Sequence, residues 1–198
     1  IIHFAEHASR LFDRNKPALI MFTSGTTGYS KAVPLTWENI CASAEISNEM
    51  LNSFGHGMWQ AALPLYHIGG FQVIVRSLLN ANPFMLYERF DATRILTDAR
   101  TEGATHISVV DRMLQEMIHA DRASGDALRD YTCILIGGGP LNAQTMERAR
   151  VRGARIYASY GMTETSSQIA NAPALPAFGG GLRLLPEYEA HIVDPGQD

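Results

Sequence analysis

Along this chain, short apolar runs of strand-like composition alternate with stretches in which apolar residues recur every three or four positions. The first pattern suits a pleated, buried surface and the second lines one face of a helix. Residues 18–23 read as a buried strand, and beyond a loop of serine, glycine and threonine a second short strand passes through Ala32 and Val33. Thr36 stands where a helix N-cap belongs, ahead of Trp37, Ile40, Cys41 and Ala44 on one face. The same spacing returns at Phe71, Ile74, Val75, Leu78 and Leu79, and again at Ala92, Ile95, Leu96 and Ala99 behind the capping residue Asp91. Residues 59–63 and 83–86 are expected strands, as are residues 105–110, which are rich in β-branched side chains. Met113, Leu114, Met117 and Ile118 form a further helical stripe, read as core packing. Residues 133–136 make a buried strand ending at Gly137-Gly138-Gly139, a helix begins near Asn142, and residues 155–159 form the next strand. Residues 105–159 therefore read β-α-β-α-β. Proline and glycine between positions 172 and 186 predict an extended connector, and residues 189–193 a last strand. The expected fold class is α/β, with a largely parallel sheet flanked by helices.

Composition narrows this little. At 198 residues, one core is expected, because a domain of this size buries roughly 70% of the surface its unfolded chain exposes. With 46% hydrophobic and 18% charged residues the composition is that of an ordinary globular protein rather than a disordered one. No window approaches the roughly 18 apolar residues of a membrane-spanning helix. Basic and acidic residues number 16 and 20 and form no long run of either sign, so no nucleic-acid surface is indicated and local groups must hold any anionic ligand. Cys41 and Cys133 read as free thiols of a reducing compartment and no leader is visible, so a cytoplasmic location is expected. The first residue is not methionine, and Asp194-Pro195-Gly196-Gln197-Asp198 is a turn-like sequence of the kind that leads into another strand. Residues 1–198 are accordingly expected to be a single partial domain of something longer.

Chemistry is concentrated in three segments. Thr23-Ser24-Gly25-Thr26-Thr27-Gly28-Tyr29-Ser30-Lys31 follows an expected strand. Small hydroxyl residues and glycines let backbone N–H groups turn toward a polyphosphate, and the lysine adds a charge. Gly28 and Lys31 are not adjacent, which excludes the G-x-x-x-x-G-K-[ST] arrangement. Composition alone leaves two readings, a phosphate cradle or a flexible polar loop. The other segments are Pro64-Leu65-Tyr66-His67-Ile68-Gly69-Gly70 and Tyr160-Gly161-Met162-Thr163-Glu164-Thr165. Taken singly, His67 reads as a structural histidine, Glu164 as a solvated acid and the three glycines from Gly137 as a strand-to-helix turn.

Together, and in this order, the three segments resemble the signatures of the adenylate-forming superfamily of acyl-CoA synthetases, peptide-synthetase adenylation domains and luciferases. One departure is Ser30, where that family commonly has proline. The resemblance implies the nucleotide-binding core of that family's large N-terminal domain. It implies that Thr23, Ser24, Gly25, Thr26, Thr27, Gly28 and Lys31 hold the β- and γ-phosphates of ATP. Thr163 would contact the α-phosphate, Glu164 would contact Mg2+, and Tyr160 with Gly161 would flank the adenine. Gly137, Gly138 and Gly139 would let backbone approach adenine and acyl group, and His67 would gate or orient the carboxylate.

The implied reaction joins a carboxylic acid to coenzyme A through an acyl-adenylate. Tyr160 to Gln168, Lys31 to Thr36 and Thr105 to Val110 further resemble o-succinylbenzoate–CoA ligases of menaquinone biosynthesis. Such an acid carries a second carboxylate, for which Arg76 and Gln168 are candidate partners, Arg76 reading equally well as a structural helix residue. The family's ribose-binding aspartate and the lysine of its small C-terminal domain are expected beyond residue 198, so these residues alone are expected to be inactive. The implied partners are the acid, ATP and coenzyme A, with no nucleic acid and no membrane span. Homo-oligomerisation is left open, as are another aryl- or acyl-CoA synthetase and a non-catalytic nucleotide-binding piece.

Overall fold

A computed structural model describes residues 13–24, 29–51, 53, 57–123, 125–173 and 181–193. Strands β1 (Pro17–Ser24) and β2 (Ser30–Thr36) pair antiparallel as a separate ribbon, with Thr23 opposite Lys31. Helix α1 (Trp37–Met50) starts where expected: the Thr36 hydroxyl accepts from Asn39 N at 3.1 Å, and Thr36 N donates back to Asn39 Oδ1 at 3.2 Å. Next come β3 (Trp59–Ala61), α2 (Ile68–Leu79), β4 (Phe84–Leu86), α3 (Ala92–Glu102), β5 (His106–Val109) and α4 (Asp111–Ala120). They are followed by β6 (Cys133–Ile136), α5 (Ala143–Val151), β7 (Ile156–Met162), β8 (Ser167–Pro173) and β9 (Arg183–Leu184). Asp91 caps α3 and Asn142 caps α5 through backbone N–H groups of their first turns.

The main sheet has the order β4-β3-β5-β6-β7-β8-β9. β3 to β7 are parallel, and β8 and β9 return antiparallel. Alternation along the strands separates two cores. Ile134 and Ile136 of β6 enter a cluster with Ile95, Leu96, Leu114 and Met117 of α3 and α4. Cys133 and Leu135 point the other way, to Trp59 and Val73 of β3 and α2. Each fully buried isoleucine of this kind contributes about 1.5–3 kcal/mol relative to exposure. A third cluster, with Met21, Leu35, Ile40, Ala44 and Val75, ties the ribbon to α1 and α2. Both cysteines are buried free thiols.

Three expectations require correction. Residues 189–193 do not form a strand: they run without regular structure, and Ile192 and Val193 face solvent. The expected connector instead contributes strand at both ends, since β8 continues to Pro173 and Arg183–Leu184 pairs with it; residues 174–180 lie outside the described residues. The third correction concerns α2. It forms, but only part of the expected apolar stripe is buried: Val75 is buried and Phe71 packs beside it, yet Leu78 is 66% exposed and Leu79 is 42% exposed, whereas Gln72, Arg76 and Ser77 are buried. Gln72 and Arg76 find hydrogen-bond partners on α1, the sheet and the β7–β8 turn, and Ser77 donates to the Val73 carbonyl of its own helix.

Candidate active site

A cavity of about 360 Å³ opens at the carboxyl ends of the parallel strands. It sits where chain order reverses across the sheet: the chain leaves β3 toward β4 on one side, and β5 and β6 extend the sheet on the other. Loops diverge at such a switch point and leave a crevice. Leu63 beyond β3, Val109 and Val110 at the end of β5, and Gly137 and Gly138 beyond β6 form its walls. Ser159, Gly161 and Met162 of β7, Thr163, and Ser167 and Gln168 of β8 close the opposite side.

Helix α2 supplies the remaining wall through His67, Ile68, Gly69 and Arg76. His67 is its N-cap residue, with its ring against Tyr66 at 4.6 Å between centroids. The first turn of α2 lies hard against the preceding segment, because a Cβ on Gly70 would stand 2.3 Å from the Pro64 carbonyl oxygen. Only glycine lets the helix start there and so set His67 at the cavity mouth.

Arg76 is 1% exposed. Its Nη1 donates to Ser47 Oγ at 3.0 Å, Nη2 to Ser108 Oγ at 3.3 Å and Nε to the Gln72 carbonyl at 3.2 Å, and the guanidinium lies 4.5 Å over the Trp59 ring. Among the described residues no carboxylate comes within ion-pair distance of it. Burial opposes its charge and lowers its pKa to about 10. A cation held in a cavity wall by neutral partners favours an anion within reach of it. Gln168 stands beside it, donating to the same Ser47 hydroxyl at 2.7 Å while its own carbonyl oxygen has no protein partner. Also against Trp59, with ring centroids 5.0 Å apart, His106 is buried with Thr105 Oγ1 2.7 Å from Nδ1 and the Leu51 carbonyl 3.4 Å from Nε2. Burial pushes its pKa down to about 4, so the ring is neutral and structural.

The segment Thr163–Thr165 forms a single tight turn between β7 and β8. Met162 N donates to the Thr165 hydroxyl at 3.1 Å, and that hydroxyl lies 2.8 Å from the Ser167 carbonyl. Gly161 permits the closure, since a Cβ there would fall 1.9 Å from the Ser167 carbonyl oxygen. β2 approaches this same turn.

Of the residues singled out in the sequence, His67, Arg76, Gly137, Gly138, Gly161, Thr163 and Gln168 meet around one cavity. Glu164 is exposed in the adjoining turn, and Lys31 is exposed on β2. Tyr160 is 53% exposed and is not among the walls, and Gly139 is exposed beyond β6. Thr23 and Ser24 end β1, while Gly25, Thr26, Thr27 and Gly28 lie outside the described residues. Ser47, Ser108 and Ser159 went unrecognised in the sequence, where lone serines carry no signal. Gln72 did carry one: it lies four residues before Arg76 on an otherwise apolar helix.

The sequence profile of AMP-binding enzymes matches residues 4–198. The chain belongs to the AMP-binding enzyme family. It is 36% identical over 163 residues to the 2-succinylbenzoate–CoA ligase of Bacillus anthracis, an alignment covering 82% of this chain and 34% of that protein. Its fold is similar to that of a double mutant of o-succinylbenzoate CoA synthetase from Bacillus subtilis bound with a product analogue. The TM-score is 0.84 at 33% identity, over 93% of this chain and 38% of that one. The same Bacillus subtilis enzyme in complex with ATP and magnesium ion gives 0.75 at 34% identity, over 84% of this chain and 34% of that one. The chain thus spans about a third of the length of the relatives it matches.

Proposed function

We propose that these residues are the nucleotide- and acid-binding part of an AMP-forming acid–CoA ligase whose acid is o-succinylbenzoate. The observation that carries this reading is the buried, carboxylate-free Arg76 in the wall of a mostly apolar cavity, between the helix bearing His67 and the Thr163–Glu164 turn. An aromatic acid with a second carboxylate fits such a cavity: the ring takes the apolar walls and the distal carboxylate takes Arg76 and Gln168. The reacting carboxylate then lies toward His67 and the turn.

In the first step a carboxylate oxygen attacks the α-phosphorus of ATP, the bond to the β-phosphate oxygen breaks, and pyrophosphate leaves with the electron pair. In the second, a thiolate attacks the acyl carbonyl and AMP departs, giving the thioester. The acid is already ionised, so His67 serves as an orienter rather than a base. Thr163 offers a hydroxyl to the α-phosphate, and Lys31 with residues 23–28 of the ribbon holds the outer phosphates, work of positioning and charge neutralisation. Glu164 is a lone exposed carboxylate, and no group of three acidic, histidine or cysteine side chains among the described residues could hold a metal by itself. That donor set suits Mg2+, which takes most of its oxygens from phosphate and water and when bound offsets phosphate charge. The ribose-binding aspartate and the lysine for adenylation lie elsewhere in the full-length protein, of which these residues form one partial domain. The buried thiols Cys41 and Cys133 fit the reducing cytoplasm.

Acid-dependent exchange of labelled pyrophosphate into ATP by the full-length protein tests the proposal. Exchange stimulated by o-succinylbenzoate, and weakly by benzoate or fatty acids, is expected. Preference for a monocarboxylic acid would reassign the substrate, and no exchange with any acid would leave a nucleotide-binding protein without this chemistry.

A further inference from the structure

Ser166 and Ser167 are consecutive non-glycine residues with φ of 58° and 122°, a pairing that L-residues rarely adopt and that persists only where the surroundings impose it. What imposes it is visible. The Ser166 carbonyl accepts from Gln72 Nε2 at 2.8 Å and from Ser43 Oγ at 3.0 Å, and Ser166, Gln72 and Ser43 are 2%, 1% and 1% exposed. Gln72 Nε2 also reaches the Ile40 carbonyl at 3.1 Å, so one amide joins α1, α2 and the β7–β8 turn. The Gln72 side-chain oxygen Oε1 has no protein partner. The clamped carbonyl lies three residues after Thr163 and two after Glu164, and Ser166 N closes the turn by donating to the Thr163 carbonyl at 3.0 Å.

We infer that Gln72 and Ser43 are positioning residues for adenylation: by clamping the Ser166 carbonyl they hold Thr163 and Glu164 in place, so the acid-binding helix α2 sets the geometry of the phosphate-binding turn. This rests on the ligase reading above. Gln72 lies one helical turn from Arg76 and five residues from His67 on the same helix. An acid seated against α2 therefore steadies the turn through the Gln72 bond, and acid and ATP bind cooperatively.

The test uses the full-length protein and its two half-reactions. Gln72→Met keeps the length and loses the donor; Ser43→Ala loses the second donor with little change of volume. Adenylation, read by pyrophosphate exchange, should fall roughly three- to tenfold in Gln72→Met, the scale of one buried hydrogen bond lost while the Ser43 bond to the same carbonyl remains. The KM for ATP should rise and should no longer depend on acid concentration. Thioester formation from supplied acyl-adenylate should change less than about threefold, since phosphate placement no longer matters there. Ser43→Ala should show the same selectivity at smaller size, and it carries the test if Gln72→Met does not fold. Equal losses in both half-reactions, or an acid-dependent KM for ATP that survives in the variants, would overturn the inference. If the wild-type protein shows no acid-dependent exchange, the ligase reading has failed; if wild type exchanges and the variants match it, only the positioning role has failed.

Discussion

Replacing Arg76 with methionine separates the two roles open to a buried arginine. The guanidinium is enclosed by Ser47, Ser108, Trp59 and the Gln72 carbonyl, with no carboxylate beside it. Depression of its pKa from 12.5 to about 10 corresponds to roughly 3 kcal/mol against the charged form, a cost the folded protein carries at neutral pH. Methionine removes that cost together with the cation–π contact and three hydrogen bonds from the guanidinium to neutral oxygens, contributions that largely offset one another, so the fold of Arg76→Met should be about as stable as wild type. Binding should behave otherwise. A charge-assisted hydrogen bond to a carboxylate contributes about 1.5–3 kcal/mol, so the KM for o-succinylbenzoate should rise roughly 10- to 150-fold. A monocarboxylic aryl acid should bind the variant no worse than it binds wild type. The assay is acid-dependent pyrophosphate exchange by the full-length protein over a range of each acid, with urea unfolding alongside. A variant that unfolds, or that loses the two acids equally, would make Arg76 a structural residue and refute the argument.

Glu164→Gln should keep the fold and cut adenylation sharply while sparing thioester formation from pre-formed adenylate; equal losses in both assays would assign the residue elsewhere. Gly161→Ala should disrupt the β7–β8 turn, because a Cβ has no room 1.9 Å from the Ser167 carbonyl, and normal exchange by this variant would contradict the closure described here. His106, whose pKa is lowered to about 4, binds fewer protons folded than unfolded between pH 6.5 and 4. Its contribution is therefore complete above pH 6.5 and declines by up to ~3 kcal/mol as pH falls to 4. Urea titrations across that window should show a slope that His106→Gln lacks, and equal slopes would disprove the assignment.

The elements that were legible in the sequence are those whose signal is local. Thr36, Asp91 and Asn142 cap the helices they precede, and the β-α-β-α-β run from β5 to β7 forms as its periodicity predicts. Caps and side-chain periods act within a few residues, so the chain carries them whatever surrounds it. Residues 189–193 mark the limit of that signal: alternating apolar residues make a strand only where another strand receives their hydrogen bonds, and among the described residues none does so.

The family signatures, likewise readable as contiguous segments, determined by themselves the family and the chemistry it implies. What tertiary structure alone decided is the environment of α2. Its apolar stripe pointed Leu78 and Leu79 inward, yet beside Val73 and Val75 the helix leaves those two leucines exposed and buries Gln72 and Arg76. Their partners Ser166, Ser47 and Ser108 lie 94, 29 and 32 residues away in the chain. Periodicity tells which side of a helix is apolar, but a polar side chain is buried wherever the fold completes its hydrogen bonds, and that completion exists only once distant segments have met.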